Sequence, residues 1–177
     1  MLTYRDGDAH AFEQLYLKHK GGLYRYLLRK CGNAGIAEEL FQDVWMKLIK
    51  ARERYEVKAK FTTFLYQMAH NHFIDYYRKH SISASLNQNF QDDEMENIPA
   101  GNNYQPEQQV ESQQQIETLM QLIGELPDEQ REAFLLREEA GLGVAEIAEV
   151  TGVNLETAKS RLRYVVNRLR KGLMNDE

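Results

Sequence analysis

The side chains best suited to binding chemistry in this sequence follow a glycine near the C-terminal end. Gly152 comes directly after the short segment 144–151, and Asn154 stands two positions later. Glycine adopts the left-handed conformation of a tight turn without a steric cost, and asparagine is a favoured N-cap. This order predicts a helix-turn-helix whose second helix follows Asn154 and enters the major groove of duplex DNA.

The second helix, projected at about 100° per residue, has an apolar face and a polar face. The apolar face carries Ala158, Leu162, Val165, Val166 and Leu169, joined by Leu155. Polar and arginine side chains suit base edges, while basic residues on the flanks suit phosphates. The predicted base contacts are Glu156, Thr157, Ser160, Arg163 and Tyr164, and the predicted phosphate contacts are Lys159, Arg161 and Arg168. The alternative is a surface helix with a solvated charged face, which the glycine turn and the cap disfavour.

A second segment, residues 61–72, combines aromatic and amide side chains with basic residues on both sides. Aromatic faces beside cations suit single-stranded nucleic acid, because every unstacked base offers a π-face. Aromatic residues at helical spacing more often belong to a core, and we assign Phe61, Leu65, Phe73 and Tyr76 to it. The candidates for contact with bases are Phe64, Tyr66 and Asn71.

The histidines and the cysteine of this sequence do not predict a metal site. His70 and His72 are two positions apart, so on a helix they point in nearly opposite directions and cannot share one ion. Cys31 is the only cysteine, which excludes an internal disulfide and a thiolate cluster. We therefore expect no metal, no cofactor and no catalytic residue.

Apolar residues recur at helical spacing on both sides of an acidic stretch, and no segment alternates with the period of a strand. Residues 82–115 carry six carboxylates and no lysine or arginine, a composition that cannot bury enough apolar surface to fold. We expect an all-α protein of two small helical domains, residues 1–81 and 116–177, joined by a flexible acidic linker, residues 82–115. Thr62 or Thr63 is the expected N-cap of the aromatic helix, and Pro127 precedes another helix.

The net charge of −5 over 177 residues is unevenly distributed. Residues 1–81 carry +5 and residues 152–177 carry +3, whereas residues 82–115 and 116–151 carry −6 and −7. Two basic blocks allow two contacts with nucleic acid despite the acidic total. No segment is apolar enough to cross a membrane and no signal peptide starts the chain, so we expect a cytoplasmic protein without membrane insertion.

Several motifs occur in a fixed order along the chain. The first half contains residues 6–16 (DGDAHAFEQLY), 37–45 (AEELFQDVW) and 61–78. The second half contains residues 126–127 (LP), 136–138 (LRE), 147–148 (IA) and 157–162 (TAKSRL). Together they resemble the extracytoplasmic-function (ECF) group of the sigma-70 family of bacterial RNA polymerase. The resemblance implies a sigma region two helical bundle in residues 1–81 and the helix-turn-helix of sigma region four in residues 116–177.

The resemblance also implies partners and roles. Core RNA polymerase would contact the chain through the coiled coil of its largest subunit and through its flap, promoter DNA would be the second partner, and an anti-sigma factor is a candidate regulator. The coiled coil would meet Glu38, Glu39, Gln42, Asp43 and Lys47. The minus-ten element would be melted and contacted by Phe64, Tyr66, His70, Asn71, Arg78 and Lys79. The recognition helix would read the minus-thirty-five element.

Some positions depart from the family pattern. Ile36 stands where an acidic residue commonly begins the polymerase-binding stretch, and Phe64 stands where tryptophan is common. Ala158 and Tyr164 stand where larger aliphatic and basic residues are common, so the promoter sequence cannot be copied from relatives.

Three further expectations concern the linker and the function class. The linker carboxylates, among them Asp92, Asp93, Glu94 and Glu96, are predicted to mimic nucleic acid in the RNA path of the polymerase.

A stand-alone helix-turn-helix regulator is the alternative function, although it leaves the aromatic segment unexplained. An enzyme such as a helical nuclease is disfavoured, because the five histidines are scattered along the chain.

Overall fold

The computed structural model describes residues 1–86 and 108–174, and every regular element in these ranges is a helix. The α-helices, in chain order, are α1 (Leu2–Arg5), α2 (Ala9–Cys31), α3 (Ala34–Lys50), α4 (Phe61–Leu86), α5 (Gln108–Gly124), α6 (Asp128–Ala140), α7 (Val144–Thr151) and α8 (Leu155–Met174). A 3₁₀ turn at Arg52–Arg54 follows α3. The all-α prediction is thus confirmed for the described part of the chain.

Local sequence signals explain several of the helix ends. The Asp8 carboxylate accepts hydrogen bonds from two backbone N–H groups of the first turn of α2, and the Asn33 side chain accepts one from Ile36 in α3. Gly32 and Gly141 end α2 and α6 in the left-handed conformation, with φ of 68° and 65°. Such a glycine terminates a helix because the absence of a Cβ makes positive φ inexpensive.

The start of α4 differs from the sequence prediction. The helix begins at Phe61, so Thr62 and Thr63 lie inside its first turn rather than capping it. Thr63 is almost fully buried, and its hydroxyl donates a 3.3 Å hydrogen bond to Glu146 of α7. A tertiary partner thus occupies the hydroxyl that the capping prediction had assigned to the backbone.

Helical structure also extends into both ends of the predicted linker. Helix α4 continues to Leu86 and α5 begins at Gln108, inside the predicted 82–115 boundaries. The carboxylates at positions 92–96, for which nucleic-acid mimicry is predicted, lie outside the described residues. The domain boundaries and the linker hypothesis therefore remain predictions.

The first half of the molecule (α1–α4) and the second half (α5–α8) each pack their own helices. In the first half, Leu27 of α2, Val44 of α3 and Leu65 of α4 have no exposed surface. In the second half, a smaller cluster joins Ile123 and Leu126 to Val165 and Leu169 of α8. Burial of such side chains contributes roughly 1.5–3 kcal/mol each.

The two halves are not separate bodies, because one continuous core runs through both. Helix α2 packs against α6 and helix α4 against α7, so Leu135 and Ile147 of the second half join the buried cluster of the first half. The two halves approach each other closely at Gly22. A Cβ atom on Gly22 would lie 2.7 Å from the backbone carbonyl oxygen of Glu139. We call this packing of the two halves the closed arrangement.

Candidate nucleic-acid interface

The turn before α8 has the geometry that its sequence predicts. Gly152 adopts the left-handed conformation at φ 67°, and the Asn154 side chain accepts a 2.8 Å hydrogen bond from the backbone N–H of Thr157. Ile147 and Ala148 of α7 are buried beneath the turn, and Ala158 of α8 is fully buried opposite them. The small side chains let α7 and α8 approach closely, which fixes the direction in which α8 leaves the turn.

The polar face of α8 points to solvent. Glu156, Ser160, Arg163 and Tyr164 are exposed, and Thr157 is half-buried. Among the predicted phosphate contacts, Lys159 and Arg168 are exposed, while Arg161 is half-buried. The structure therefore places the predicted base contacts together along one accessible face, as a helix in the major groove requires.

The three predicted phosphate contacts of α8 are engaged with carboxylates. Lys159 pairs with Glu156 at 2.8 Å, Arg161 pairs with Glu129 of α6 at 2.6 Å, and Arg168 lies 3.5 Å from Glu125. Exposed pairs of this kind contribute little stability, so a phosphate can displace the carboxylates. The hydrogen bond from Lys159 lowers the pKa of Glu156, which is itself one of the predicted base contacts.

The predicted apolar face of α8 is only partly buried. Val165 and Leu169 pack into the core, whereas Val166 and Leu155 are 51% and 43% exposed. Leu155 is the first residue of the helix, and Val166 is not among the residues of the buried cluster that joins Val165 and Leu169, so the packed surface is narrower than the apolar face.

Helix α4 presents an open face beside α3. A cavity of about 240 Å³ opens between the two helices. It is lined by Lys47, Phe64, Gln67, Met68, Asn71, His72 and Asp75. This cavity brings together two predicted minus-ten contacts, Phe64 and Asn71, with Lys47 from the predicted polymerase-binding set. Phe64 also stacks edge-on against Tyr55, with ring centroids 5.1 Å apart. An aromatic wall with amide, ammonium and carboxylate groups can hold a flat polar ring such as a base.

The opposite face of α4 is covered by the second half. Tyr66 is 1% exposed and His70 is 8% exposed. The Tyr66 hydroxyl donates a 3.4 Å hydrogen bond to the backbone carbonyl of Glu139, and His70 Nδ1 lies 2.6 Å from a carboxylate oxygen of Glu132. Neither side chain can reach DNA in the closed arrangement. The other predicted minus-ten residues, Arg78 and Lys79, are exposed near the end of the described part of α4.

The core assignments for this helix differ in depth. Leu65 is fully buried, whereas Phe61, Phe73 and Tyr76 are half-buried and pack against the edge of the core. Lys30 lies over the Phe73 ring at 4.2 Å, a cation–π contact. The apolar side of α4 therefore includes positions that also contact charged side chains.

The predicted polymerase-binding residues share one exposed face of α3. Glu38, Glu39, Gln42, Asp43 and Lys47 are all exposed. Met46 and Ile49 of the same helix are 51% and 38% exposed, so this surface is both acidic and apolar. His72 connects the face to α4 through contacts of 2.7 Å with Lys47 and 3.0 Å with Asp43. The sequence reasoning had not included Met46 and Ile49, although both lie outside the buried spacing of α3.

Glu132 of α6 is the electrostatic centre of the contact between the halves. Its carboxylate accepts a 2.7 Å hydrogen bond from Tyr26 and is also contacted by Lys30 and by His70. Burial acts to raise the pKa of Glu132, but the His70 hydrogen bond and the Lys30 charge outweigh it and lower that pKa to about 2. Burial dominates at two of its partners, lowering the pKa of Lys30 and raising that of Tyr26.

Sequence reasoning missed this cluster, and one signal for it was available. Glu132 and Glu139 lie on the same face of α6 as Leu135 and Leu136, at spacings of three, four and seven residues. A carboxylate on an apolar face predicts a buried cationic partner. Lys30 is 102 positions from Glu132, so no local pattern could identify it.

Comparisons with known proteins agree with this division into two halves. The profile of sigma-70 region 2 matches residues 15–82, and that of sigma-70 region 4 matches residues 116–168. The ECF RNA polymerase sigma factor SigW of Bacillus subtilis is 28% identical over 172 residues, which cover 96% of this chain and 92% of SigW. SigM of the same organism is 29% identical over 168 residues, covering 93% of this chain and 98% of SigM.

A solved structure shows the same fold. The sigma factor RpoE of Bartonella quintana, in complex with the anti-sigma factor NepR, aligns with a TM-score of 0.75 at 22% identity, over 94% of this chain and 99% of RpoE. Among the described residues, no helix is long and apolar enough to span a membrane. The ordered matches to region 2 and region 4, together with relatives aligned over nearly their whole length, establish that this chain belongs to the ECF group of the sigma-70 family.

Proposed function

We propose that this chain binds core RNA polymerase and directs it to promoters, its first half contacting the minus-ten element and its second half the minus-thirty-five element. The observation that carries the proposal is the exposed polar face of α8, which follows a capped helix-turn-helix in the half that matches sigma-70 region 4. Such a face suits base edges in the major groove. The function is non-enzymatic and is exercised in the cytoplasm, where the polymerase acts.

Polymerase docking is assigned to the exposed face of α3. Its carboxylates can pair with basic side chains of a partner, while Met46 and Ile49 supply apolar area. The proposed docking residues remain Glu38, Glu39, Gln42, Asp43 and Lys47.

Capture of a non-template base is assigned to the cavity between α3 and α4. Phe64 and Asn71 supply an aromatic surface and an amide at its wall, and Lys47 supplies a positive charge. Flipping a base costs a few kcal/mol, which stacking on an aromatic ring can offset. Tyr66 and His70, on the opposite face of α4, are proposed to contact DNA outside this cavity and only when the two halves separate.

The proposed partners are core polymerase, promoter DNA and an anti-sigma factor. The last rests on the Bartonella neighbour, whose structure contains one. A stand-alone helix-turn-helix regulator is not favoured, because it does not account for the region 2 match in residues 15–82.

The test is association of the purified chain with core polymerase, followed by multi-round transcription on a bank of candidate promoters. We expect Glu38→Lys to weaken association at least about tenfold, because a like charge now faces the basic partner surface. Glu13→Lys on α2 makes the same charge change at an exposed site outside the α3 face and should bind normally. A wild-type chain that never associates with core polymerase would reject the proposed function.

A further inference from the structure

His72 of α4 stands between two charged side chains of α3. Its Nε2 atom lies 3.0 Å from a carboxylate oxygen of Asp43, and its Nδ1 atom lies 2.7 Å from the ammonium nitrogen of Lys47. The imidazole is 12% exposed, whereas the Asp43 side chain is 51% exposed. Both ring nitrogens of a largely buried histidine are therefore engaged, each by a group from the neighbouring helix.

The two contacts require different roles of the ring nitrogens. An ionised carboxylate only accepts hydrogen bonds, and an ammonium group only donates them. Nε2 of His72 must therefore donate to Asp43, and Nδ1 must accept from Lys47. A neutral imidazole with its hydrogen on Nε2 meets both requirements, since it has one donor and one acceptor. Asp43 thus selects the form of the ring that can hold the Lys47 ammonium.

Lys47 also lines the cavity between α3 and α4, which is the proposed site of base capture. The charged and titratable groups of this cavity are Lys47, His72 and Asp75, beside the Phe64 ring and the Asn71 amide. An ammonium group has three N–H donors, and the contact with His72 uses one of them. The others are available to a ligand. A lysine whose rotamer is already fixed loses less conformational entropy on binding than a free one.

We infer that His72 is a positioning residue: it holds the Lys47 ammonium at the wall of this cavity, where Lys47 donates to an oxygen acceptor of the captured nucleotide. The acceptor is a base carbonyl or a phosphate oxygen, and lysine binds both in complexes with nucleic acid. The inference rests on the proposed function for the nucleotide, but the placement of Lys47 by His72 is a property of the free chain. His72 acts on the nucleotide through Lys47 and need not touch it.

Nuclear magnetic resonance of the full chain tests the placement without DNA or polymerase. A long-range ¹H–¹⁵N correlation spectrum shows which ring nitrogen of each histidine carries a hydrogen, and about pH 8 is above the range in which unperturbed histidines titrate. The His72 signals are those missing from the spectrum of His72→Gln. We expect a neutral ring with its hydrogen on Nε2. A hydrogen on Nδ1 would contradict the contact with Lys47 and overturn the inference.

Binding of the holoenzyme to DNA tests what Lys47 and His72 do. The probe is a labelled promoter fragment with a single-stranded non-template minus-ten region, taken from a promoter active in the transcription assay. We expect Lys47→Gln to weaken binding about tenfold, because a hydrogen bond from a charged donor is lost. His72→Leu should weaken it about fivefold, because Lys47 keeps its charge but must now be ordered on binding. His72→Gln should stay within about twofold of wild type, since an amide also offers a donor and an acceptor on neighbouring atoms.

The double variant distinguishes positioning from a general loss of structure. If His72 acts only through Lys47, His72→Leu in the Lys47→Gln background removes nothing further, and the double variant binds about tenfold more weakly than wild type. Independent effects would multiply to about fiftyfold and overturn the inference. The salt dependence of binding identifies the acceptor. Lys47→Gln reduces that dependence by about one counterion if Lys47 contacts a phosphate and leaves it unchanged if Lys47 contacts a base.

Association with core polymerase separates this inference from the proposed function. His72→Leu and His72→Gln should both bind core polymerase as wild type does, because His72 lies in α4 and outside the proposed docking residues. A loss of core binding by His72→Leu that equals its loss of DNA binding would overturn the inference, as would equal weakening of DNA binding by both variants. A wild-type chain that never binds core polymerase would reject the proposed function, while the His72 spectrum would still decide the placement of Lys47.

Discussion

Helices α4 and α8 are both proposed to contact DNA, yet they are buried in different ways. Helix α8 packs on one side against neighbours from its own half and leaves its polar side open. Helix α4 packs on one side against α3 and on another against α7 of the other half, which leaves only part of its surface open. The proposed DNA-binding surface of α8 is therefore accessible in the free chain, whereas that of α4 is partly covered.

This difference concerns which of the proposed DNA contacts is accessible in the closed arrangement. The proposed base contacts of α8 lie mostly on an exposed face, whereas Tyr66 and His70 of α4 are covered by the second half. The partition also gives a role to the acidic charge of residues 116–151, which faces the basic residues of the first half.

The contact between α4 and α6 should depend most strongly on Glu132. We expect Glu132→Gln to lower the free energy of unfolding by about 3 kcal/mol, because removing the anion leaves Lys30 buried without its partner. Urea denaturation at neutral pH measures the loss. Glu138→Gln, on the exposed side of the same helix, should change the free energy by less than about 0.5 kcal/mol. Equal effects of the two variants would show that the cluster does not hold the halves together.

The stabilisation by Glu132 should also depend on pH. The pKa of its carboxyl is lowered to about 2 from an ordinary value of 4.5, so its contribution is complete above the ordinary value and is lost as the pH falls towards 2. Between about pH 5.5 and about pH 3, the difference in unfolding free energy between wild type and Glu132→Gln should shrink by about 2 kcal/mol. Denaturant titrations at both pH values measure it. A difference that stays constant would mean that Glu132 is not the titrating group.

Sequence predicted α8 well because its signals are local. The Gly152 turn, the Asn154 cap and the apolar spacing all fall within about twenty residues, and each acts on its neighbours. The apolar spacing does not show how wide the packed surface is, and Val166 and Leu155 remain largely exposed.

Sequence could not predict the covered face of α4 because its partners are remote. Thr63, Tyr66 and His70 bond to residues 83, 73 and 62 positions away. Helical periodicity identifies which side of α4 each residue occupies but not which helix will lie against it. Thr62 or Thr63 was predicted to cap the helix, and the family resemblance implied a DNA contact for His70, while the structure gives Thr63 and His70 glutamate partners.

The accessible face of α8 should be most sensitive at Arg163. With core polymerase present, we expect Arg163→Ala to reduce initiation about tenfold at promoters that depend on the minus-thirty-five element, since a lost side-chain contact to a base edge costs about 1–3 kcal/mol. Multi-round transcription from one such promoter measures the loss. The scattering curve of the free chain should be unchanged, because Arg163 is exposed and lies outside the contact between the halves.

Arg170→Ala is the charge-matched control, because Arg170 is also exposed and lies two turns further along the same face of α8. A helix in the major groove contacts bases mainly through its N-terminal turns, so Arg170 should contribute only to phosphates and lose a few-fold at every promoter. The contrast separates the two kinds of contact. Arg163→Ala should alter which minus-thirty-five sequences are preferred, whereas Arg170→Ala should weaken all of them alike and reduce the salt dependence. Equal, sequence-independent losses at both positions would mean that α8 binds the DNA backbone without reading its bases. The greater accessibility of α8 compared with α4 would then affect the affinity for DNA but not the choice of sequence.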